Sequence, residues 1–290
     1  MDLPILDVMS VRFTILGSGS SGNCALLEAG DTQLLIDAGF SARQIRERLA
    51  GIGRSPERLS GILITHEHSD HIKGLGTLCG RLGVPIYANR LTREAIQKEF
   101  EDTPLPFVTF ETGSRFSVGS VEVQTFSVPH DAMDPVGFAL ETHAGCIGFL
   151  TDLGHATKLI LERVRQARLL LLEANHDLRL LQEDMKRPWS LKQRILSRHG
   201  HLSNDAAAEV AGELAAGPLE EIHLGHLSRE CNRPELALKT VNKRLSAVGA
   251  TRIRVFNTSQ DEPSRTVVLD PPGTPPTPAL DPRPGQVPEG

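Results

Sequence analysis

The chain has 290 residues, 39% apolar and 23% charged, enough to bury a large core as one globular domain. Its 36 acidic and 31 basic residues leave a net charge of −5, so no global basic field advertises a polyanion partner. The four cysteines (Cys24, Cys79, Cys146, Cys231) are scattered without a CxxC pair and no apolar run reaches membrane-span length, which excludes a disulfide framework, a zinc knuckle and a transmembrane helix.

Residues 1–10 read as an N-terminal extension. The acidic start Met1-Asp2-Leu3-Pro4 lacks the charged leader and long apolar core of a signal peptide, so a cytoplasmic location is expected. Val11 to Leu16 alternates as a first strand. It runs into Gly17-Ser18-Gly19-Ser20-Ser21-Gly22-Asn23, which lacks the Gly-Lys-Ser/Thr ending of a P-loop and reads as a tight turn in preference to a phosphate cradle. Cys24–Glu28 and Gln33–Ile36 form a hairpin pattern bent at Gly30-Asp31. Asp37 ends the second strand, where a carboxylate suits holding a ligand histidine by its far N–H. Ser41 to Ala50 has helical apolar spacing.

After the apolar run Gly61–Ile64 comes Thr65-His66-Glu67-His68-Ser69-Asp70-His71. Imidazole nitrogens and carboxylate oxygens are the ligands that zinc or manganese accepts, and nothing else accounts for so many of them together. This stretch is a metal site. Lys73 onward reads as the start of a helix with Asp70 and His71 at its N-terminal edge, where a carboxylate is electrostatically favoured.

T-H-x-H-x-D-H after a buried strand resembles the signature of the metallo-β-lactamase fold, an α/β protein built as a four-layer αββα sandwich. That superfamily spans β-lactam, thioester, lactone and phosphodiester hydrolysis, so the signature alone leaves the substrate open. The resemblance places the fold's first motif at Asp37. It also makes His130, which follows the strand ending at Val128 and Pro129, the third motif, and Asp152, after the strand ending at Leu150, the metal-bridging fourth motif. An N-cap for a helix Ala156–Val164 is the alternative role for Asp152.

Between these come a helix to about Leu82, a short strand Val84–Tyr87, a helix Leu91–Phe100 and several alternating runs over 107–128. Beyond them, Leu169–Leu172 reads as a buried strand ending in the polar cluster Glu173-Ala174-Asn175-His176-Asp177. The segment 186–201 carries five basic residues, no acid and the single tryptophan, Trp189. It reads equally as a solvated helix face or as a track for backbone phosphates. Gly200-His201-Leu202-Ser203-Asn204 caps a helix Asp205–Ala215, with Ser203 or Asn204 as N-cap. A strand Leu219–Leu224, Gly225-His226-Leu227-Ser228-Arg229, a helix from Pro234 to Ala247 and two further strands near 252–256 and 266–269 complete a domain spanning 11–270. The Pro/Gly-rich tail 271–290 is expected to be disordered.

GSGSSGN, Glu-x-Asn-His-Asp, the Leu-Lys-x-Arg-Ile segment, GHLSN and HLSRE-x-N together look like the WalJ/YycJ exonuclease family, related to the RNase Z branch. The family commonly has two asparagines where Cys231 precedes Asn232 here. The resemblance implies a 5′→3′ DNA exonuclease of genome maintenance, with two divalent cations (zinc or manganese) activating a hydroxide against phosphorus. One cation would be held by His66, His68 and His130, the other by Asp70, His71 and His226, with Asp152 bridging. Asp70, Glu173 and His201 are the expected catalytic side chains: His201 as phosphate contact or proton donor, Glu173 orienting it. Lys192, Arg194, Ser203, Asn204 and Ser228 are the expected substrate contacts. DNA is the expected partner, with RNA cleavage of RNase Z type, thioester or lactone hydrolysis, and a binding module without chemistry as the competing readings.

Overall fold

The computed structural model describes residues 10–273, so the expected extension and the Pro/Gly tail lie almost wholly outside the described residues. In the first half, β1 (Val11–Gly17), β2 (Cys24–Ala29) and β3 (Thr32–Ile36) form an antiparallel meander. Then come α1 (Ala42–Gly51), β4 (Gly61–Leu63), α2 (Ser69–Ile72), α3 (Leu75–Leu82), β5 (Ile86–Asn89), α4 (Arg90–Glu99) and β6 (Phe107–Phe110). The second half opens with β7 (Arg115–Val118), β8 (Val121–Ser127), β9 (Val136–Thr142) and β10 (Gly145–Leu150). It continues through α5 (Lys158–Arg163), β11 (Ala167–Glu173), α6 (Leu178–Glu183), α7 (Trp189–Leu196), α8 (Asn204–Leu214), β12 (Glu221–Gly225), α9 (Pro234–Ala247) and β13 (Arg254–Asn257). Finally β14 (Val267–Leu269) returns to pair with β1.

Two seven-stranded sheets result, in the orders β14-β1-β2-β3-β4-β5-β6 and β13-β12-β11-β10-β9-β8-β7. Period-two side-chain alternation sorts each strand between two cores. Leu34 and Ile36 of β3 meet Phe138, Phe149, Leu169 and Leu171 between the sheets. Leu35 faces outward onto Ile45, Leu49, Leu75 and Leu78 of α1 and α3. On the second sheet Leu170, Leu172, Ile222 and Leu224 pack against Ala207, Ala211, Val241 and Leu245 of α8 and α9. Both faces of both sheets are therefore covered, which explains the continuous apolar runs; each such leucine contributes about 1.5–3 kcal/mol on burial. The αββα sandwich expected from the sequence is the fold observed.

The helices start where their caps place them. Ser41 and Gln44 close a capping box on α1, Ser203 caps α8, and Pro234 occupies the first turn of α9. Two expectations need correction, and one helix is additional to those expected. The helix after the metal motif is broken: α2 ends at Ile72 and α3 begins at Leu75. The break falls at Gly74, where a Cβ would come within 2.6 Å of the Phe40 carbonyl oxygen while the Gly74 N–H donates to Ala38 O. Asp152 is not an N-cap, since Thr157 caps α5. The short helix α6, capped by Asp177, has too weak a pattern to be read from the sequence.

Strands β3 to β6 run parallel, as do β10 to β13. The carboxyl ends of β3, β4, β10, β11 and β12 bring together the segments after Ile36, Leu63, Leu150, Glu173 and Gly225, and ligand sites on α/β sheets form at such ends.

Candidate metal centre

Three of these strand ends carry a non-glycine residue in the left-handed region: Asp37 (φ 61°), Asp152 (φ 56°) and His226 (φ 54°). Each such turn costs roughly 1–2 kcal/mol for a residue with a Cβ, strain of a kind that collects at functional sites. Here it turns three side chains abruptly out of their strands and into one buried volume.

The first histidine cluster comes from the loop after β4. His66 Nε2 lies 3.0 Å from His68 Nδ1, and the His66, His68 and His130 rings are mutual neighbours with centroids 4.5–5.2 Å apart. One ring nitrogen of each comes within 4.8 Å of the others. His130 is oriented by Gly200, whose carbonyl lies 3.0 Å from Nδ1, so Nε2 is the nitrogen facing the cluster.

A second set surrounds His71. Asp37 Oδ2 lies 2.8 Å from His71 Nδ1, which turns Nε2 toward Asp70 Oδ2 (3.5 Å) and Asp152 Oδ2 (3.2 Å). His226 Nε2 lies 3.6 Å from Asp70 Oδ2. Asp152 stands between the two sets, with Oδ1 3.9 Å from His130 Nε2 and Oδ2 beside His71. Carboxylates dominate this volume. Burial works against charged imidazoles, but Asp37, Asp152 and Asp70 outweigh it at His71, as Asp152, Asp70 and Glu173 do at His226, so both are held well above the ordinary range. At His66 and His130 burial prevails and the pKa falls.

Glu173 is the hub of the far wall. Its Oε1 accepts from His201 Nδ1 (2.7 Å) and His226 Nδ1 (2.9 Å); its Oε2 accepts from the Leu153 (3.0 Å) and Leu202 (3.2 Å) N–H groups. Burial raises a carboxyl pKa, yet the His201 charge and these hydrogen bonds bring Glu173 down to about 2. Every lone-pair direction is used, which makes Glu173 a positioning group. The segments 173–177, 200–204 and 225–228 are stitched together by backbone: Asn175 N to Leu202 O, Asn204 N to His176 O and Ser228 N to Asn175 O. These bonds explain why motifs far apart in the chain read as one set.

The cleft above these residues has a volume of about 250 Å³ and is bounded by His68, Asp70, His130, Asp152, His201 and His226, and by Arg187, Leu191 and Arg194. Of the expected substrate contacts, Arg194 and Ser228 line it, Arg194 paired with Asp131. The other three are committed elsewhere. Lys192, only 7% exposed, donates to Gln182 O at 2.8 Å; Ser203 caps α8; Asn204 exchanges two 2.9 Å hydrogen bonds with the Asn232 amide. The amide pair also gives Asn232 a partner that does not depend on position 231. Trp189 is 63% exposed and lies outside the cleft lining.

The sequence reading missed Asn23. Its Nδ2 donates to Asp70 Oδ2 (3.3 Å) and lies 3.2 Å from His71 Nε2, while its Oδ1 accepts from Ser18 Oγ. Ser18 Oγ in turn accepts the His226 N–H at 2.9 Å. The GSGSSGN turn is thus a brace under the site, and a polar residue closing so small-residue a loop was the available signal. Gly39 belongs to the same brace, because a Cβ there would overlap the Asp70 carbonyl.

The residues fit a divalent-metal site on one structural ground: His130 Nε2, His226 Nε2 and Asp152 Oδ2 are buried, face this volume and have no hydrogen-bond partner.

The beta-lactamase superfamily domain matches residues 32–224. The chain is 40% identical over 258 residues to exodeoxyribonuclease WalJ of Streptococcus pneumoniae serotype 2, covering 86% of this chain and 95% of that protein. The chain belongs to the metallo-β-lactamase superfamily, in its WalJ/YycJ family. Exodeoxyribonuclease YycJ of Bacillus anthracis is 35% identical over 243 residues, covering 83% of this chain and 91% of that protein. The metallo-β-lactamase fold protein YhfI of Bacillus subtilis shares the fold at 18% identity with a TM-score of 0.69, over 89% of this chain and 99% of that one. As a member of the WalJ/YycJ exonuclease family the chain is a metal-dependent hydrolase. No helix among the described residues is long and apolar enough to cross a membrane.

Proposed function

We propose that this chain is a two-metal exonuclease that removes nucleotides from DNA in the 5′→3′ direction, in genome maintenance. The observation that carries the reading is the set of buried, partnerless ligand atoms on His130, His226 and Asp152, in a chain so similar along its length to a protein named exodeoxyribonuclease. His66, His68 and His130 would hold one zinc or manganese ion, and Asp70, His71 and His226 the other, with Asp152 between them. Such a pair, when bound, lowers the pKa of water and neutralises charge developing on a phosphodiester.

The protein's own part is orientation and proton delivery. Asp37, Gly200 O and Glu173 each take the far nitrogen of a histidine, so that its other nitrogen is aimed inward. His201 is held by Glu173 through Nδ1, which leaves Nε2 for the cleft. Burial lowers its pKa, but the Glu173 charge and hydrogen bond outweigh that and raise it above the ordinary value. A protonated His201 Nε2 suits donation to the oxygen that leaves phosphorus as the P–O bond breaks. Arg194, exposed on the cleft lining with Asp131 as its one carboxylate partner, suits a flanking phosphate oxygen.

The test is incubation of metal-loaded protein with 5′-labelled single- and double-stranded DNA and RNA beside a thioester. Mononucleotides released from DNA alone are expected. Thioester turnover without nucleic-acid cleavage would overturn the reading, and cleavage of RNA in place of DNA would reassign the substrate.

A further inference from the structure

A second groove lies beside the metal cleft: Ser228 lines both, and the groove is also bounded by Ser18, Arg229, Arg233 and Ser259. The GSGSSGN turn forms the ridge between them, with Ser20 on the cleft side and Ser18 on the groove side. Ser18 ties that ridge to the metal centre through its hydrogen bond from the His226 N–H.

Charge differs between the two spaces. In the cleft each arginine is already paired: Arg194 with Asp131, and Arg187 with Asp184 (2.7 Å) and Glu230 (2.9 Å). In the groove Arg229 meets Asp261, both side chains more than half exposed, so solvent screens the pair and a phosphate competes with it readily. Arg233 has no carboxylate partner among the described residues. Only its Nη1 is engaged, on the carbonyls of Asn232 (2.5 Å), Arg229 and Glu230 (3.4 Å each), which leaves Nε and Nη2 as donors. The hydroxyls of Ser228 and Ser259 accept from backbone N–H groups and keep their own protons for donation. The 14-residue α9 begins here without a side-chain cap, adding the positive end of its dipole.

We propose that this groove is a backbone-phosphate subsite. A nucleic-acid strand with its scissile bond in the metal cleft crosses Ser228 and sets a neighbouring phosphate against Arg233 and Arg229, Asp261 yielding Arg229 to it. The assignment rests on the nuclease reading and adds the face by which the strand leaves the cleft.

The full-length chain in chelator, titrated by fluorescence anisotropy with a fluorescein-labelled single-stranded octadeoxynucleotide, tests it without turnover. Arg233→Ala is expected to weaken binding by about 5–10-fold and to flatten the slope of log Kd against log salt by about 0.7, one phosphate contact on a single strand. Asp261→Asn, which removes the competing carboxylate, is expected to tighten binding. Arg165→Ala, in the α5–α8 groove, is expected to change nothing. In the metal-loaded enzyme, hydrolysis of the small diester bis(p-nitrophenyl) phosphate should be the same for Arg233→Ala and wild type. Unchanged octamer affinity in both Arg233→Ala and Asp261→Asn overturns the subsite, and does so with the nuclease reading intact if the wild type still degrades DNA. A wild type that binds no octamer and cuts no DNA removes both.

Discussion

Replacing Glu173 by glutamine keeps the size of the side chain and swaps one acceptor oxygen for an NH₂ donor. Four donors converge on the native carboxylate: the N–H groups of Leu153 and Leu202 on one oxygen, His201 and His226 on the other. If the new NH₂ faced the two backbone donors, both would be stranded in a fully buried place, at about 1–3 kcal/mol each. If it faced the histidines, they would have to accept through Nδ1 and carry their proton on Nε2. For His226 that blocks the nitrogen proposed to bind metal, and losing such an orienting partner typically costs about 10–100-fold in metal affinity, or roughly 1.4–2.7 kcal/mol. The second arrangement is the cheaper. Glu173→Gln should therefore fold with a modestly lower Tm, bind its second metal equivalent about 10–100-fold more weakly, and lose about 10²–10⁴-fold in kcat, because His201 without the carboxylate beside it holds its Nε2 proton as a neutral imidazole, a far weaker acid than the imidazolium. Metal titration by calorimetry, metal content after gel filtration, and kcat at saturating metal separate the two effects. A variant with wild-type metal affinity and wild-type kcat would refute the role given to Glu173.

Other expectations follow from single contacts. His201→Ala should abolish turnover on DNA while metal content stays intact; loss of metal would reassign His201 as a ligand. Gly39→Ala should displace the Asp70 backbone and lower both Tm and metal content, whereas the same change at the open surface glycine Gly51 should do neither. Lys192→Met should leave the salt dependence of DNA KM unchanged, because its ammonium is engaged on Gln182 O, while Arg194→Ala should raise KM. Glu221 titrates below its ordinary value of 4.5: burial opposes this, but the His223 hydrogen bond and the charges of His223, Arg265 and Arg254 prevail. A depressed carboxyl pKa stabilises the fold above the unfolded value and ceases to do so as pH falls through the folded one. Glu221→Gln should therefore lower Tm at neutral pH, by about 2–4 °C per kcal/mol lost, and the gap from wild type should close progressively as pH falls below the ordinary carboxyl value of 4.5. A gap that persists in acid would show that packing, not charge, holds that site.

The local signals proved reliable wherever one stretch contained the whole physical cause. Ser41 with Gln44, and Pro234 followed by a periodic run, are sufficient reasons for helices to start where they do. The dense ligand run 65–71 needs no distant partner to declare a metal, since so many imidazoles and carboxylates have no other use in a core. The four cysteines are free and buried as their scatter suggested, and burial pushes the Cys79 thiol up to about 12. The structure brings only Arg194 and Ser228 of the expected substrate contacts to the cleft lining, because composition does not say which side of a helix meets the cleft. On α7 Leu191, Arg194 and Ile195 face it, while Lys192, one step around the turn, is turned to a carbonyl.

What the chain determines by itself is thus the layer pattern and the presence of a metal motif, both encoded at short range as periodicity and ligand density. The family resemblance names distant partners for that motif, but only the tertiary structure shows Asp37, Asp152 and His226 turned into one buried volume beside it, through left-handed backbone at three strand ends. The brace from Asn23 and the hub at Glu173 likewise exist only once residues separated by 47 and 53 positions are brought within hydrogen-bond reach of Asp70 and His226. Hydrogen bonds act over about 3 Å of space and carry no record in sequence distance.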